Sequence, residues 1–265
     1  MASRVIVAGA GFDLLTHDEL IDNVVAAIRR DDGGRIVTPN IDICHRISRD
    51  VASRGFVTSA SFVVPDGMPL LWAARLSGRP LVERITGADL IYSLSSAAAA
   101  NGWPIYLIGG APSADGRPSA ATLAGDRLAS LYPGLEVAGS YTPAARFNAV
   151  GDDIDVLCKE LADAEPKIVF VGLGFPKQER LIARLIPHLP QAWFIGCGAA
   201  VPYAAGELRR APVWMRRSGL EWIFRLVSEP RRLAGRYLRR GLPFAATLLA
   251  SSAWHGLRRR LDRSA

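Results

Sequence analysis

The sequence predicts an α/β fold: a mostly parallel, Rossmann-like sheet with helices on both faces, followed by a helical C-terminal appendage. Three observations predict it. Short apolar runs alternate with segments of helical periodicity, several runs end in Gly, Pro, Asn or Asp, and the basic charge gathers near one end of the chain. Strands without a polar face belong in a sheet covered on both sides, and strand–helix alternation makes that sheet parallel.

Taken in order, residues 5–8 read as a first strand. Thr16, His17, Asp18 and Glu19 then make a capping-box pattern ahead of a helix with apolar Leu20, Ile21, Val24, Val25 and Ile28, which Gly33-Gly34 should end. Further strands are expected over 35–38, 61–64, 105–108, 167–171 and 193–195. Helical patterns cover 69–76, 88–100, 118–131 and 176–186. Thr38-Pro39-Asn40, Pro65-Asp66-Gly67, Gly109-Gly110, Gly172-Leu173-Gly174 and Gly196-Cys197-Gly198 follow the strands. Ligands of open α/β sheets bind outside the carboxyl ends of the strands, so the pocket is expected where these five segments gather.

The chain has 265 residues, about half of them apolar and 22% charged, enough for one α/β domain with an appendage. Composition turns Arg- and Trp-rich just after Gly206, which divides a core over 1–206 from an appendage over 207–265. The appendage holds 14 arginines and no lysine against four acids, a net of +10; the remaining 18 basic and 21 acidic side chains leave the core at −3. That end should meet an anion, whether nucleic acid, anionic lipid or a phosphorylated ligand. The first residues lack the pattern of a secretory signal peptide, so a cytoplasmic location is expected. Cys44, Cys158 and Cys197 are widely spaced and show no metal or disulfide pattern, which suits reduced, buried thiols.

Gly9-Ala10-Gly11 follows a strand, but Leu14 stands where the third glycine of a dinucleotide fingerprint belongs, and no phosphate-loop motif occurs. This argues against a nucleotide-sugar epimerase or dehydrogenase. Gly109-Gly110 can bring backbone N–H groups to a phosphate or ribose, or be an ordinary strand-to-loop turn. Asp66, after Phe62-Val63-Val64, can serve as a general base toward a hydroxyl or simply make a turn. Thr38 and Asn40 suit hydrogen bonding to a substrate and suit turn chemistry equally. Gln178 sits in the first turn of the helix opened by Pro176, facing the pocket or merely capping the helix. His17, His45, His188 and His255 form no metal-ligand spacing with one another or with carboxylates, so neither a metal nor a cofactor is expected.

In the appendage, Leu220, Ile223, Phe224 and Val227 make one apolar stripe. Leu233, Ala234, Tyr237 and Leu238 make another after Pro230, with arginines opposite. The apolar stretch 242–254 is shorter than the roughly 20 residues that span a bilayer, so it would lie in the interface or pack on the core. On residues alone a non-catalytic, phosphate- or nucleic-acid-binding α/β protein with a basic tail stays as the alternative to an enzyme. It predicts aromatics interleaved with the charges for base stacking; Trp214, Trp222 and Phe224 fall instead at core- or membrane-facing positions.

Taken together and in this order, several segments resemble the WecG/TagA/CpsF glycosyltransferase family, from about Val5 to Tyr237. They are Val37-Thr38-Pro39-Asn40, Pro65-Asp66-Gly67-Met68-Pro69, Glu83-Arg84-Ile85-Thr86-Gly87-Ala88-Asp89 and Tyr106-Leu107-Ile108-Gly109-Gly110. Phe170 to Glu179, Arg210-Ala211-Pro212-Val213-Trp214, Gly219 to Leu226 and Glu229-Pro230-Arg231-Arg232 complete the series. The resemblance implies inverting, metal-independent transfer from a UDP-sugar donor to a saccharide on undecaprenyl pyrophosphate, by a peripheral protein on the anionic inner face of the cell membrane. It implies Asp66 as general base, Thr38 and Asn40 as active-site polar residues, and Gln178 as a substrate-binding glutamine. Arg210, Arg225, Arg231 and Arg232 match arginines of an appendage that closes over the site. No nucleic-acid partner is implied, and a homo-oligomer stays open. The chain departs from many relatives at Val201-Pro202 and in the loop 139–146. This keeps N-acetylmannosamine, N-acetylmannosaminuronate, glucuronate and glucose donors all in view.

Overall fold

A computed structural model describes residues 4–112, 117–144 and 152–264. Its first half contains β1 (Val5–Val7), β2 (Ala10–Phe12), α1 (His17–Ile28), β3 (Gly34–Val37), α2 (Ile41–Ile47), α3 (Val51–Thr58), β4 (Phe62–Val63), α4 (Met68–Leu76) and α5 (Gly87–Asn101). There follow β5 (Ile105–Gly109), α6 (Ala120–Leu131), β6 (Val137–Tyr141), α7 (Asp152–Ala164), β7 (Ile168–Gly172), α8 (Lys177–Leu185), β8 (Trp193–Gly196) and α9 (Ala200–Ala204). The last part is helical: α10 (Val213–Ser218), α11 (Glu221–Ser228), α12 (Pro230–Arg236), a π-helical turn Tyr237–Gly241, and α13 (Leu242–Ser264). The α/β class read from the sequence is the observed one. The chain forms two compact units, one of Met1–His17, Thr38–Ile85 and Arg210–Ala265, the other of Asp18–Val37 and Thr86–Arg209.

The second unit holds five parallel strands of the main sheet in the order β3-β8-β7-β5-β6. From β5 the chain first adds β6 on one side and then returns to add β7 on the other. The topological switch point therefore lies between β5 and β7, the place where open α/β sheets take ligands. Successive side chains of a strand face opposite ways, so Tyr106 and Ile108 of β5 join Val169, Val171 and Phe194 in a core closed by Leu157 and Leu161 of α7 and Leu181, Ile182 and Leu185 of α8. Leu107 faces the other side, where Gly125 lets α6 approach it. Helices thus cover both faces, and every residue of β5 and β8 is buried.

Two strands were not read from the sequence. β6 contains Gly139, and a Cβ there would lie 2.5 Å from the Tyr106 ring, so an aromatic on the neighbouring strand demands the small residue that disguised the strand. β2 pairs antiparallel with β1 across a turn in which Ala8 (φ 51°) and Gly9 (φ 79°) are left-handed. The first strand therefore lies in a separate two-stranded hairpin rather than in the main sheet, a correction to its expected place. Helix α1 also stops at Ile28, with Asp31 (φ 56°) taking the left-handed position expected of Gly33-Gly34. Of the 139–146 loop, Ala145 and Arg146 lie outside the described residues.

In the first unit, Asp13 clamps the hairpin. Its Oδ1 accepts from Arg4 Nε at 3.0 Å, and its Oδ2 accepts from the Val63 N–H of β4 at 2.7 Å. The C-terminal helices pack within this unit. Leu233 of α12 is fully buried, Arg236 pairs with Asp42 of α2 at 3.0 Å, and Phe244 of α13 meets His45 edge-on. Gly256 of α13 runs against the end of α4, where a Cβ would come within 1.9 Å of the Leu76 carbonyl. The stripe read on α11 is less buried than its periodicity suggests, for Val227 is 76% exposed. Among the described residues no helix is long and apolar enough to cross a membrane. All three cysteines are free and buried.

Gly196, the last residue of β8, has no room for a side chain: a Cβ would lie 2.4 Å from Glu179 Oε1 and 2.5 Å from Gln178 Nε2, both buried. Gly196→Ala is therefore expected to lower unfolding free energy by about 1–3 kcal/mol through overpacking, read as a reduced urea midpoint with unchanged slope.

Candidate active site

In the first unit, backbone hydrogen bonds draw three distant segments together. The Asp66 N–H donates to the Pro39 carbonyl at 2.9 Å, and the Ile85 N–H donates to the Pro65 carbonyl at 3.0 Å. Thr38-Pro39-Asn40, Pro65-Asp66-Gly67 and Glu83-Arg84-Ile85 consequently lie side by side. Gly67 (φ 144°) makes a turn that an L side chain rarely adopts, which brings the chain from Asp66 straight into α4. Asp66 is half-buried at that junction, while Thr38 is buried. Asn40 caps α2 through Oδ1, which accepts from the Ile43 N–H at 3.1 Å, so its Nδ2 is the atom left to donate elsewhere.

The arginines of the appendage occupy several settings in the same unit. Arg210 and Arg84 flank Glu221, the first residue of α11, at 3.9 and 3.7 Å. Arg225 lies one turn further along that helix. Arg231 and Arg232 are exposed at the start of α12, where Arg232 pairs with Glu229 at 2.7 Å. The sequence reading missed Arg84. The signal was its position directly after Glu83 in a segment that resembles the family, but no periodicity marks an arginine that answers a carboxylate some 140 positions away.

In the second unit, three strand ends nest around glycines. Gly109 (φ 142°) closes β5, and a Cβ there would lie 2.8 Å from the Gly172 carbonyl at the end of β7. At Gly110 a Cβ would strike Ala120, so this backbone passes directly by the start of α6. Thr142 Oγ1 stands 2.9 Å from the Gly109 carbonyl and 2.9 Å from Ser119 Oγ, the N-cap of α6. A glycine turn beside a helix start suits an anionic group.

Gln178, read as facing the pocket or as a plain helix cap, lies inside the fold. It is 3% exposed, and its Oε1 accepts from the Gly174 N–H at 3.0 Å and from the Gly198 N–H at 3.1 Å, tying the loop after β7 to the loop after β8. Its Nε2 donates to Glu179 Oε1 at 3.2 Å. Glu179 is fully buried. Burial pushes its carboxyl up to about 7, opposed by the Gln178 hydrogen bond and the Arg35 charge. The folded protein thus holds this proton more tightly than the unfolded chain. The associated stability is full below about pH 4.5 and is lost as pH rises through 7, on the order of 3 kcal/mol. Glu179→Gln removes this dependence, so its stability relative to the wild type is expected to rise between pH 5 and pH 8 in urea unfolding. A pH-independent difference would contradict the assignment.

Among the described residues no three His, Cys, Asp or Glu side chains gather closely enough to hold a metal ion. A model of the Glycosyl transferase WecG/TagA/CpsF family matches residues 5–258. The chain is 34% identical over 200 residues to a protein of Bacillus spizizenii, covering 76% of this chain and 73% of the relative. It is 31% identical over 200 residues to one of Bacillus subtilis, with the same coverage, and 26% identical over 233 residues to one of Staphylococcus aureus, covering 87% of each. All three relatives are named N-acetylglucosaminyldiphosphoundecaprenol N-acetyl-beta-D-mannosaminyltransferase.

Proposed function

Because this chain belongs to the WecG/TagA/CpsF family and is a glycosyltransferase, we propose that it moves a sugar from a UDP-sugar to a saccharide carried on undecaprenyl pyrophosphate, with Asp66 as general base. The observation that supports the reading is the Asp66 N–H to Pro39 carbonyl bond, which holds the Asp66 segment beside Thr38 and Asn40 at the start of α4. The names of the relatives support N-acetylmannosamine as the sugar and N-acetylglucosamine as its acceptor; N-acetylmannosaminuronate, glucuronate and glucose are the other donors of the proposal.

In this mechanism the acceptor hydroxyl oxygen attacks the anomeric carbon as its proton passes to the Asp66 carboxylate, and the bond to the UDP β-phosphate oxygen breaks with inversion. Thr38 and the Asn40 Nδ2 orient hydroxyls. Negative charge on the departing diphosphate is met by guanidinium groups of Arg210, Arg225, Arg231 and Arg232, whose planar donors match phosphate oxygens. Gly109, Gly110 and the loops tied by Gln178 serve the donor nucleotide. The arginine-rich appendage also holds the protein on the anionic inner leaflet.

The test is a transfer assay on a panel of UDP-sugars with a short-chain diphosphate-linked N-acetylglucosamine, products identified by mass and anomeric configuration by NMR. An inverted disaccharide from one UDP-sugar is expected, and transfer should persist in excess EDTA. Activity lost in EDTA and restored by Mg²⁺ or Mn²⁺ would sink the metal-free mechanism. No product and no thermal shift with any UDP-sugar would sink the reading as a whole.

A further inference from the structure

The most deeply buried carboxylate of the second unit that the mechanism leaves unused is Glu179. It sits in the first turn of α8 and touches the end of β8, since the space a Cβ of Gly196 would occupy is filled by its Oε1 and by Gln178 Nε2. Oε2 has no hydrogen-bond partner among the described residues. Both acceptor sites of the Gln178 carbonyl are taken by the N–H groups of Gly174 and Gly198. That pairing requires the carboxamide to present Nε2 on its other side, and the Glu179 carboxylate is what receives it. Were the carboxamide to turn over, two backbone N–H groups would face another N–H, so its orientation is set from both ends.

The consequences reach past Gln178 by contact. The Gly198 carbonyl lies 2.8 Å from where a Cβ of Gly172 would stand, and the Gly172 carbonyl lies 2.8 Å from the same point on Gly109. The ends of β8, β7 and β5 are therefore nested with no slack, and a shift of the Gly198 loop is passed to the turn at Gly109-Gly110. The charged and titratable groups that face Glu179 are Arg35 on β3 and the thiol of Cys197 beyond β8, which burial holds neutral at about 12.

We propose that Glu179 is a positioning residue of the donor site: its ionised carboxylate holds the Gln178 carboxamide, which in turn sets the Gly174 and Gly198 backbone and, through it, the loops that grip the nucleotide-sugar. This rests on the reading that the loops after β5, β7 and β8 serve the donor. Glu179 itself touches no substrate, so the effect belongs in donor affinity and not in the chemical step. Because its carboxyl titrates near 7, donor affinity also acquires a pH dependence inside the working range.

The experiment compares the full-length wild type with Glu179→Gln, measuring KM for the accepted UDP-sugar, kcat and the Kd of UDP from pH 5.5 to 8.5. In the wild type, KM and Kd should rise several-fold from pH 8 to pH 6 while kcat changes little. The variant should show a KM raised about tenfold at pH 8, flat with pH, as expected for loss of one hydrogen bond to a charged group. In parallel, the amide resonances of Gly174 and Gly198 in the wild type should titrate with a midpoint near 7. That measurement stands even if the variant does not fold. A folded variant with wild-type KM and pH profile, or wild-type Gly174 and Gly198 amides that do not titrate, overturns the proposal while leaving UDP-sugar transfer intact. A fall in kcat at unchanged KM overturns it as well. If the wild type binds no UDP-sugar, the donor reading fails and takes this inference with it.

Discussion

Asp66→Asn is expected to lower kcat for transfer by about 10²–10⁴-fold while the fold and donor affinity stay close to those of the wild type. The substitution keeps the shape of the side chain and the Asp66 N–H to Pro39 carbonyl bond, because that bond belongs to the backbone. Gly67 still makes its turn into α4. What is removed is the one group of this segment able to take the acceptor proton. Thr38 and Asn40 cannot replace it, since a hydroxyl and a carboxamide are not bases near neutral pH, and the carbonyl of Asn40 is committed to the Ile43 N–H. The measurement is kcat and KM with the accepted donor, alongside a thermal-shift comparison with UDP. A variant that keeps more than about a tenth of wild-type kcat would end the assignment of Asp66 as base.

The second large effect is expected at the surface of α13. Ser252 and Gly256 face inward, the latter against Leu76, whereas Trp254, Leu257 and Leu261 are 55, 51 and 61% exposed along one stripe. The Arg258 guanidinium lies 5.0 Å from the centre of the Trp254 ring. An apolar stripe with a stacked cation beside it is the arrangement of a helix that lies in a lipid interface. Changing Trp254, Leu257 and Leu261 together to Asp should lower binding to anionic vesicles by more than about 100-fold, because three large side chains lose their burial in the acyl region. Transfer to a short-chain soluble acceptor should stay within about twofold, as the stripe plays no part in the proposed chemistry. High salt should weaken wild-type binding only in part, since each engaged arginine contributes on the order of 1 kcal/mol and the apolar share is insensitive to salt. Unchanged co-sedimentation of the triple variant would refute the anchor.

The sequence reading left 242–254 either in an interface or packed on the core. Leu242 is 43% exposed while Phe244 packs on His45, and the exposed apolar stripe runs on from Trp254 to Leu261, because docking of His45 on Phe244 and of Leu76 on Gly256 decides which face of α13 turns inward. Similar reasons explain the other differences. Thr38-Pro39-Asn40 reads as substrate binding or turn chemistry, and only the Ile43 N–H shows that Asn40 also opens α2. Gln178 reads as facing the pocket or capping a helix, and only the fold shows that two glycine N–H groups on separate loops hold its carbonyl.

By itself the sequence determined the α/β class and the cores of β3, β4, β5, β7 and β8, together with the helices that follow most of them. Those features follow from local periodicity and from caps and breakers a few residues apart, which any short window of the chain contains. It also determined where the basic charge lies and, through the order of its segments, the family to which the chain belongs. The tertiary structure alone decided that β1 leaves the main sheet for a hairpin, that Asp66 meets Pro39, that Arg84 and Arg210 share Glu221, and that Glu179 is buried behind Gln178. Each of these joins residues far apart in the chain or depends on which side of an element is covered, and neither leaves a mark on the residues nearby.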